Sequence, residues 1–137
     1  MATTNVAMLP HPAVKAILLC ERTIRDSHSG SATLVGLVDD ISAPAFPFVY
    51  ARGLELYVRV IDVAGKYETR IEVVSVVDGQ TIAGVNGVAA MPNRRRAYEL
   101  IFDFERLPFE RPGEYEFRFF ANGRFVASAV LLVGDAE

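Results

Sequence analysis

A chain of 137 residues, 51% hydrophobic and 23% charged, has the size and composition of one globular domain, which excludes a disordered chain. Its 14 basic and 17 acidic residues leave a formal net charge of -3, too small and too evenly spread for a general nucleic-acid binder. A single cysteine, Cys20, excludes an internal disulfide and a cysteine-based metal knuckle, and no apolar run approaches the ~20 residues of a membrane-crossing helix.

Residues 1–12 read as a loose arm, because Pro10 and Pro12 deny the backbone regular pairing. The arm has neither the basic start nor the long apolar stretch of a signal peptide, so a cytoplasmic protein is expected. Residues 13–134 read as one β-sandwich domain. Two apolar runs, 14–25 and 32–41, flank the polar turn cluster Asp26-Ser27-His28-Ser29-Gly30-Ser31. The second run is apolar on both faces and is expected as one strand covered on both sides or lying at an edge. In the first, Val14, Ile17, Leu18 and Glu21 also fit helical spacing; strand is the reading adopted.

Pro44 and Pro47 make 42–47 a crossing loop, with Phe46 at the edge of the core. The clearest alternation follows: Leu54, Leu56, Val58 and Val60 face one way, Glu55, Tyr57, Arg59 and Ile61 the other. Gly65 turns the chain, and Ile71, Val73, Ser75 and Val77 repeat the pattern. Asp78-Gly79 is a hairpin turn signal. Gly84 and Gly87 then mark 81–90 as a bulged or edge strand. Residues 97–104 fit a strand or, through Ala97, Ile101, Phe104 and Leu107, a helix. Three arginines would oppose the dipole of a helix starting there, and two phenylalanines favour a strand, so strand is expected.

The closing stretch, 112–126, reads as a hairpin around Asn122-Gly123, both able to take the positive φ of a type I′ turn. Unbroken pairing would put Phe120 opposite Phe125 and Phe119 opposite Val126. Tyr115, Phe117, Phe119, Val126, Ser128, Val130 and Leu132 would then share the buried face. Glu114, Glu116, Arg118, Phe120, Phe125, Ala127 and Ala129 would share the other. The expected fold is all-β: an antiparallel sandwich of about eight strands, Ig-like in architecture. Pro112-Gly113-Glu114-Tyr115 resembles the corner where such sandwiches place a tyrosine, although their usual disulfide and tryptophan are absent.

Three stretches carry a wider resemblance. They are Leu18-Leu19-Cys20-Glu21 with Asp26, then Leu34-Val35-Gly36-Leu37-Val38-Asp39-Asp40-Ile41 with Pro44 and Phe46-Pro47, and last Pro112-Gly113-Glu114-Tyr115-Glu116-Phe117. In this order they resemble an uncharacterised family of bacterial proteins, a domain of unknown function, over about 14–133. The resemblance implies a single all-β domain from a bacterium and carries no catalytic residue over.

Few residues suggest chemistry. His11 lies in the arm and His28 in a polar turn, neither beside a patterned nucleophile or orienting group, so the expected catalytic set is empty. Cys20 among Ile17, Leu18 and Leu19 reads as a buried hydrophobe. Asp39, Asp40, Asp62 and Asp78 sit at strand ends without the converging oxygens calcium needs, and no phosphate loop is present, so no metal and no cofactor is expected. Arg94, Arg95 and Arg96 form the only charge run, a candidate anion patch, although a run this short is more often a solvated turn. The outer face of the last hairpin, with Phe120 and Phe125 opposed beside Ala127 and Ala129, is the candidate interface, with cover by the N-terminal arm or a loop an equal alternative. These readings add up to a non-enzymatic β-sandwich that binds a protein partner or itself. The alternatives are a small-ligand binder or enzyme with a loop pocket built from Asp26, His28, Asp39, Asp40 and Arg94 to Arg96, and a weak nucleic-acid or phosphate binder using the three arginines.

Overall fold

The computed structural model describes residues 9–135, which form eleven β-strands and no helix. In chain order these are β1 (Ala13–Arg25), β2 (Ala32–Leu37), β3 (Asp40–Ala43), β4 (Phe48–Tyr50), β5 (Leu54–Ile61), β6 (Gly65–Ser75), β7 (Thr81–Met91), β8 (Tyr98–Phe104), β9 (Leu107–Phe109), β10 (Gly113–Ala121) and β11 (Arg124–Asp135). One sheet has the order β2-β1-β5-β8, a second β3-β11-β10-β6-β7, and β4 pairs with β9 in a small third. All pairings are antiparallel except that of β3 with β11. Both segments whose spacing also fitted a helix, in β1 and β8, are strands.

Alternation decides which faces meet. Leu54, Leu56, Val58 and Val60 of β5 are buried on one side of the first sheet; Tyr67, Ile71 and Val73 of β6 and Tyr115, Phe117 and Phe119 of β10 are buried on one side of the second. These faces close on each other through rings, Phe104 edge-on to Phe117 at 5.3 Å and Phe102 tilted against Phe119 at 6.1 Å. Buried residues of both sheets form one cluster. A full burial stabilises by about 1.5–3 kcal/mol per large apolar side chain, so this shared face is the main source of stability. Tyr115 is buried too, and its hydroxyl donates to the Arg111 carbonyl at 2.6 Å, closing the turn into β10 as a tyrosine corner does.

Eleven strands rather than eight arise for local reasons. The apolar run 32–41 is not one strand. Gly36 takes a φ of 68°, the Val38 N–H makes a last bond to the Leu19 carbonyl, and the Leu132 N–H then bonds the Asp39 carbonyl. The chain thereby leaves the first sheet and enters the second as β3. The short β4 and β9 come from stretches to which the sequence assigns no strand, where Tyr50, Leu107 and Phe109 are buried and the two segments pair.

The last hairpin departs from expectation by one residue. Phe120 does lie opposite Phe125, but Phe119 lies opposite Ala127 because the register shifts there. Val126 is the extra residue of a β-bulge, and a slip of one residue exchanges the faces of everything beyond it. Leu131 and Val133 are therefore buried, while Val130 and Leu132 are exposed. Ala127 and Ala129, expected outside, pair with Phe119 and Phe117 and share their inward face. Of the arm, only residues 9–12 are described, and they touch the body of the domain. Pro12 is buried, Leu9 packs against the core, and the Tyr67 hydroxyl donates to the Pro10 carbonyl at 2.8 Å. Residues 1–8 lie outside the described residues.

Candidate functional site

The closing hairpin presents its aromatic pair from a fixed turn. Asn122 and Gly123 have φ values of 50° and 79°, as the type I′ turn requires. Asn122 is also tied to the neighbouring strand: its N–H donates to the Glu68 carbonyl at 2.7 Å, and its Oδ1 accepts from the Glu68 N–H at 2.9 Å. Phe120 and Phe125 meet edge to face at 5.9 Å and 73°. Phe120 is half-buried, whereas Phe125 is 52% exposed, and Val130 (44%) and Leu132 (52%) stand on the same outer face. Ala127 and Ala129 drop out of this face with the bulge. The charges beside it are paired within their own strands, Arg118 with Glu116 at 2.8 Å and Arg70 with Glu72 at 2.9 Å. The apolar side chains this face offers a neighbour are Phe125, Val130 and Leu132.

The arginine run lies elsewhere. Arg94, Arg95 and Arg96 occupy the exposed turn between β7 and β8. Asn93 shapes that turn: its Oδ1 accepts from the Arg95 N–H at 2.9 Å and its carbonyl from the Arg96 N–H at 3.1 Å. No ion pair involves the three guanidiniums among the described residues.

The residues of the enzyme alternative are not gathered into one site. Asp26 accepts from the His28 and Ser29 N–H groups and from the Ser29 hydroxyl at 2.7–3.1 Å, so its carboxylate shapes the β1–β2 turn. The backbone hydrogen bond from Ser29 is the main reason its pKa is lowered. Asp39 and Asp40 line a separate open cleft of about 410 Å³ with Glu21, Tyr50 and Arg52, and His28 is not in its lining. Asp78 caps the Gln80 N–H at 2.9 Å in the β6–β7 turn. Cys20 is fully buried, and that burial pushes its thiol pKa up, which makes it a poor nucleophile. Among the described residues no three histidine, cysteine or carboxylate groups are placed to hold a metal ion.

One constellation was missed in the sequence. Glu99 of β8 lies directly opposite Arg59 of β5, and its side chain is only 13% exposed. Its Oε1 accepts from Arg25 at 2.7 Å; its Oε2 accepts from Arg59 at 3.0 Å and from the Tyr57 hydroxyl. Burial works to raise the Glu99 pKa, but the hydrogen bonds from Tyr57 and Arg25 and the charges of Arg25 and Arg59 outweigh it and hold it below the ordinary value. Tyr57 moves the other way, raised first by burial and then by its bond to Glu99. Arg25 also donates to the Gly30 carbonyl at 2.7 Å. The carboxylate therefore holds the tip of the β1–β2 hairpin onto the outer face of the first sheet. With its oxygens already accepting three donors, it acts as a latch rather than a base. Alternation put Tyr57 and Arg59 on one face of their strand; what the sequence lacked was the pairing of β5 with β8.

A protein-family model described as a family of unknown function, DUF6941, matches residues 15–134. The chain belongs to this family. The DUF6941 match runs from β1 nearly to the end of β11, so both larger sheets, the Glu99 latch and the aromatic hairpin lie within it. No curated protein matches the chain. No helix among the described residues of this DUF6941 chain is long and apolar enough to cross a membrane.

Proposed function

We propose that this chain is a non-enzymatic, Ig-like β-sandwich that works in the cytoplasm by binding a protein partner through the outer face of its second sheet. The observation that carries the reading is Phe125, 52% exposed and stacked on Phe120 at a turn bonded to β6, with Val130 and Leu132 on the same face. An exposed aromatic fixed in place loses little conformational entropy when covered. Because Arg118 with Glu116 and Arg70 with Glu72 already pair with one another, the surface that fits is an apolar patch on a protein rather than a charged ligand. The strand order of the two larger sheets, the parallel β3–β11 pair and the Tyr115 corner support the Ig-like reading. The carboxylates with defined partners serve turns, the Glu99 latch or ion pairs with neighbouring arginines, which supports a binding role over catalysis.

Affinity capture with the parent chain and with Phe125→Asp tests the reading. Loss of the aromatic pair costs about 0.5–1.5 kcal/mol, so the variant is expected to fold. The expected result is a protein retained by the parent, lost by the variant, and bound directly by the parent when both are purified. Capture of no protein, or equal capture by both chains, contradicts it.

A further inference from the structure

β7 is the end strand of the second sheet and pairs with β6 on one side; among the described residues no strand pairs with the other. Proteins guard such edges with charges, prolines, bulges or shortness. β8, at an edge of the first sheet, carries Glu99 and Asp103. β3 has four residues and begins with Asp40. β2 is uncharged but has six residues and includes Gly36 at positive φ. By contrast, the eleven residues of β7, Thr-Ile-Ala-Gly-Val-Asn-Gly-Val-Ala-Ala-Met, contain no charge and no proline. Its one register shift against β6 falls near Thr81, and from Ala83 to Met91 the pairing is regular. Val88 stands 63% exposed on this strand.

We infer that the free edge of β7 takes a second copy of this chain, β7 pairing antiparallel with β7 across a two-fold axis to make one continuous ten-stranded sheet. A two-fold perpendicular to the sheet keeps outward side chains beside outward ones, so the axis must pass at a residue. Asn86 is the middle residue of the strand, and centring there pairs its whole length. In that register Gly84 faces Val88 of the second copy and Val85 faces Gly87, each way round, while Ala83 faces Ala89. Every valine then meets a glycine, and no charge meets its own copy, which an edge bearing a charge at the axis could not avoid. Asn86 itself has a use at the axis. Its Oδ1 accepts from Arg70 at 2.9 Å, its amide N–H groups have no acceptor among the described residues, and the oxygen has a second lone pair for the opposing amide. The open seam between β7 and β8, about 480 Å³ and lined in part by Thr69, Leu100 and Phe102, leaves room for the inward Val85 of the second copy. This surface differs from the hairpin face, so the two readings stand or fall separately.

Sedimentation equilibrium and disulfide cross-linking with four variants test it. The parent is expected at about twice its 15.1 kDa mass. Asn86→Asp keeps an acceptor for Arg70 but sets two carboxylates at the axis, and should raise the dimer dissociation constant tenfold or more with an unchanged circular dichroism spectrum. Asn86→Cys should cross-link to a dimer under mild oxidation, and Thr81→Cys should not, because position 81 faces 91 in this register. Phe125→Asp should leave the dimer intact. A parent that stays monomeric, a dimer indifferent to Asn86→Asp, or cross-linking at 81 instead of 86 overturns the inference. So does a dimer dispersed only by Phe125→Asp, which would place self-association on the hairpin face.

Discussion

At the scale of single residues, two positions show side chains working against their ordinary preferences. Gly36 has a φ of 68°, and a Cβ there would fall 2.7 Å from the Glu21 side chain. Backbone strain of this kind costs a non-glycine residue about 1–2 kcal/mol, and Glu21 would also have to move. Gly36→Ala should therefore lower the unfolding free energy by at least about 1 kcal/mol in urea titration; no change would mean that the chain crosses between sheets without help from this glycine. Glu99 gives a pH-dependent counterpart. Its pKa is lower in the folded chain than its ordinary 4.5, so its contribution is fully present above that value and is lost as pH falls through the lower, folded one. Glu99→Gln should cost about 1–2 kcal/mol at neutral pH, less than a fully buried pair would because Arg25 and Arg59 are nearly half exposed. The variant's stability should also fall less steeply below pH 4.5 than the parent's. Parallel acid-unfolding curves would contradict the latch.

Elements were legible where side chains alternate and illegible where they do not. Leu54-Glu55-Leu56-Tyr57-Val58-Arg59-Val60 announces both its strand and its buried face, and Asn122-Gly123 announces the turn and the Phe120–Phe125 pair. In β11 the sequence Ala129-Val130-Leu131-Leu132-Val133 is apolar at every position, so no pattern reveals which way it faces. The bulge at Val126 decides that, and a bulge in a non-glycine run leaves no clear trace in composition. The Phe120–Phe125 pairing read from the turn is present, but the residues beside it differ: Ala127 and Ala129 turn inward, and Val130 and Leu132 take their place outside. Truncating the two adjacent leucines separates the registers. Leu131→Ala should cost about 2–5 kcal/mol, and Leu132→Ala, at a half-exposed site, well under 1 kcal/mol. Thermal melts in which Leu132→Ala is the more damaging would show the observed register to be inside out.

For the whole molecule, the all-β class followed from turn signals and β-branched runs, but the arrangement of strands did not. Which strands share a sheet depends on contacts far apart in the chain, such as β1 with β5, β5 with β8, and the return of β3 to β11. The Glu99 latch stayed hidden for that reason: Arg25, Tyr57 and Glu99 lie far apart along the chain, and only the fold joins them. The same arrangement leaves two surfaces with unmet capacity, the aromatic face of the hairpin and the uncharged edge of β7. The central claim concerns the first, and a binding isotherm tests it most directly. A captured partner, purified, is titrated into the parent chain and into Phe125→Asp and Leu132→Asp, which sit on one face but on different parts of β11. The proposed face predicts a dissociation constant at least tenfold weaker for both variants while both remain folded, about 1.4 kcal/mol or more of lost binding. Equal affinity for all three chains would contradict it and remove the outer face of the second sheet from the protein's function.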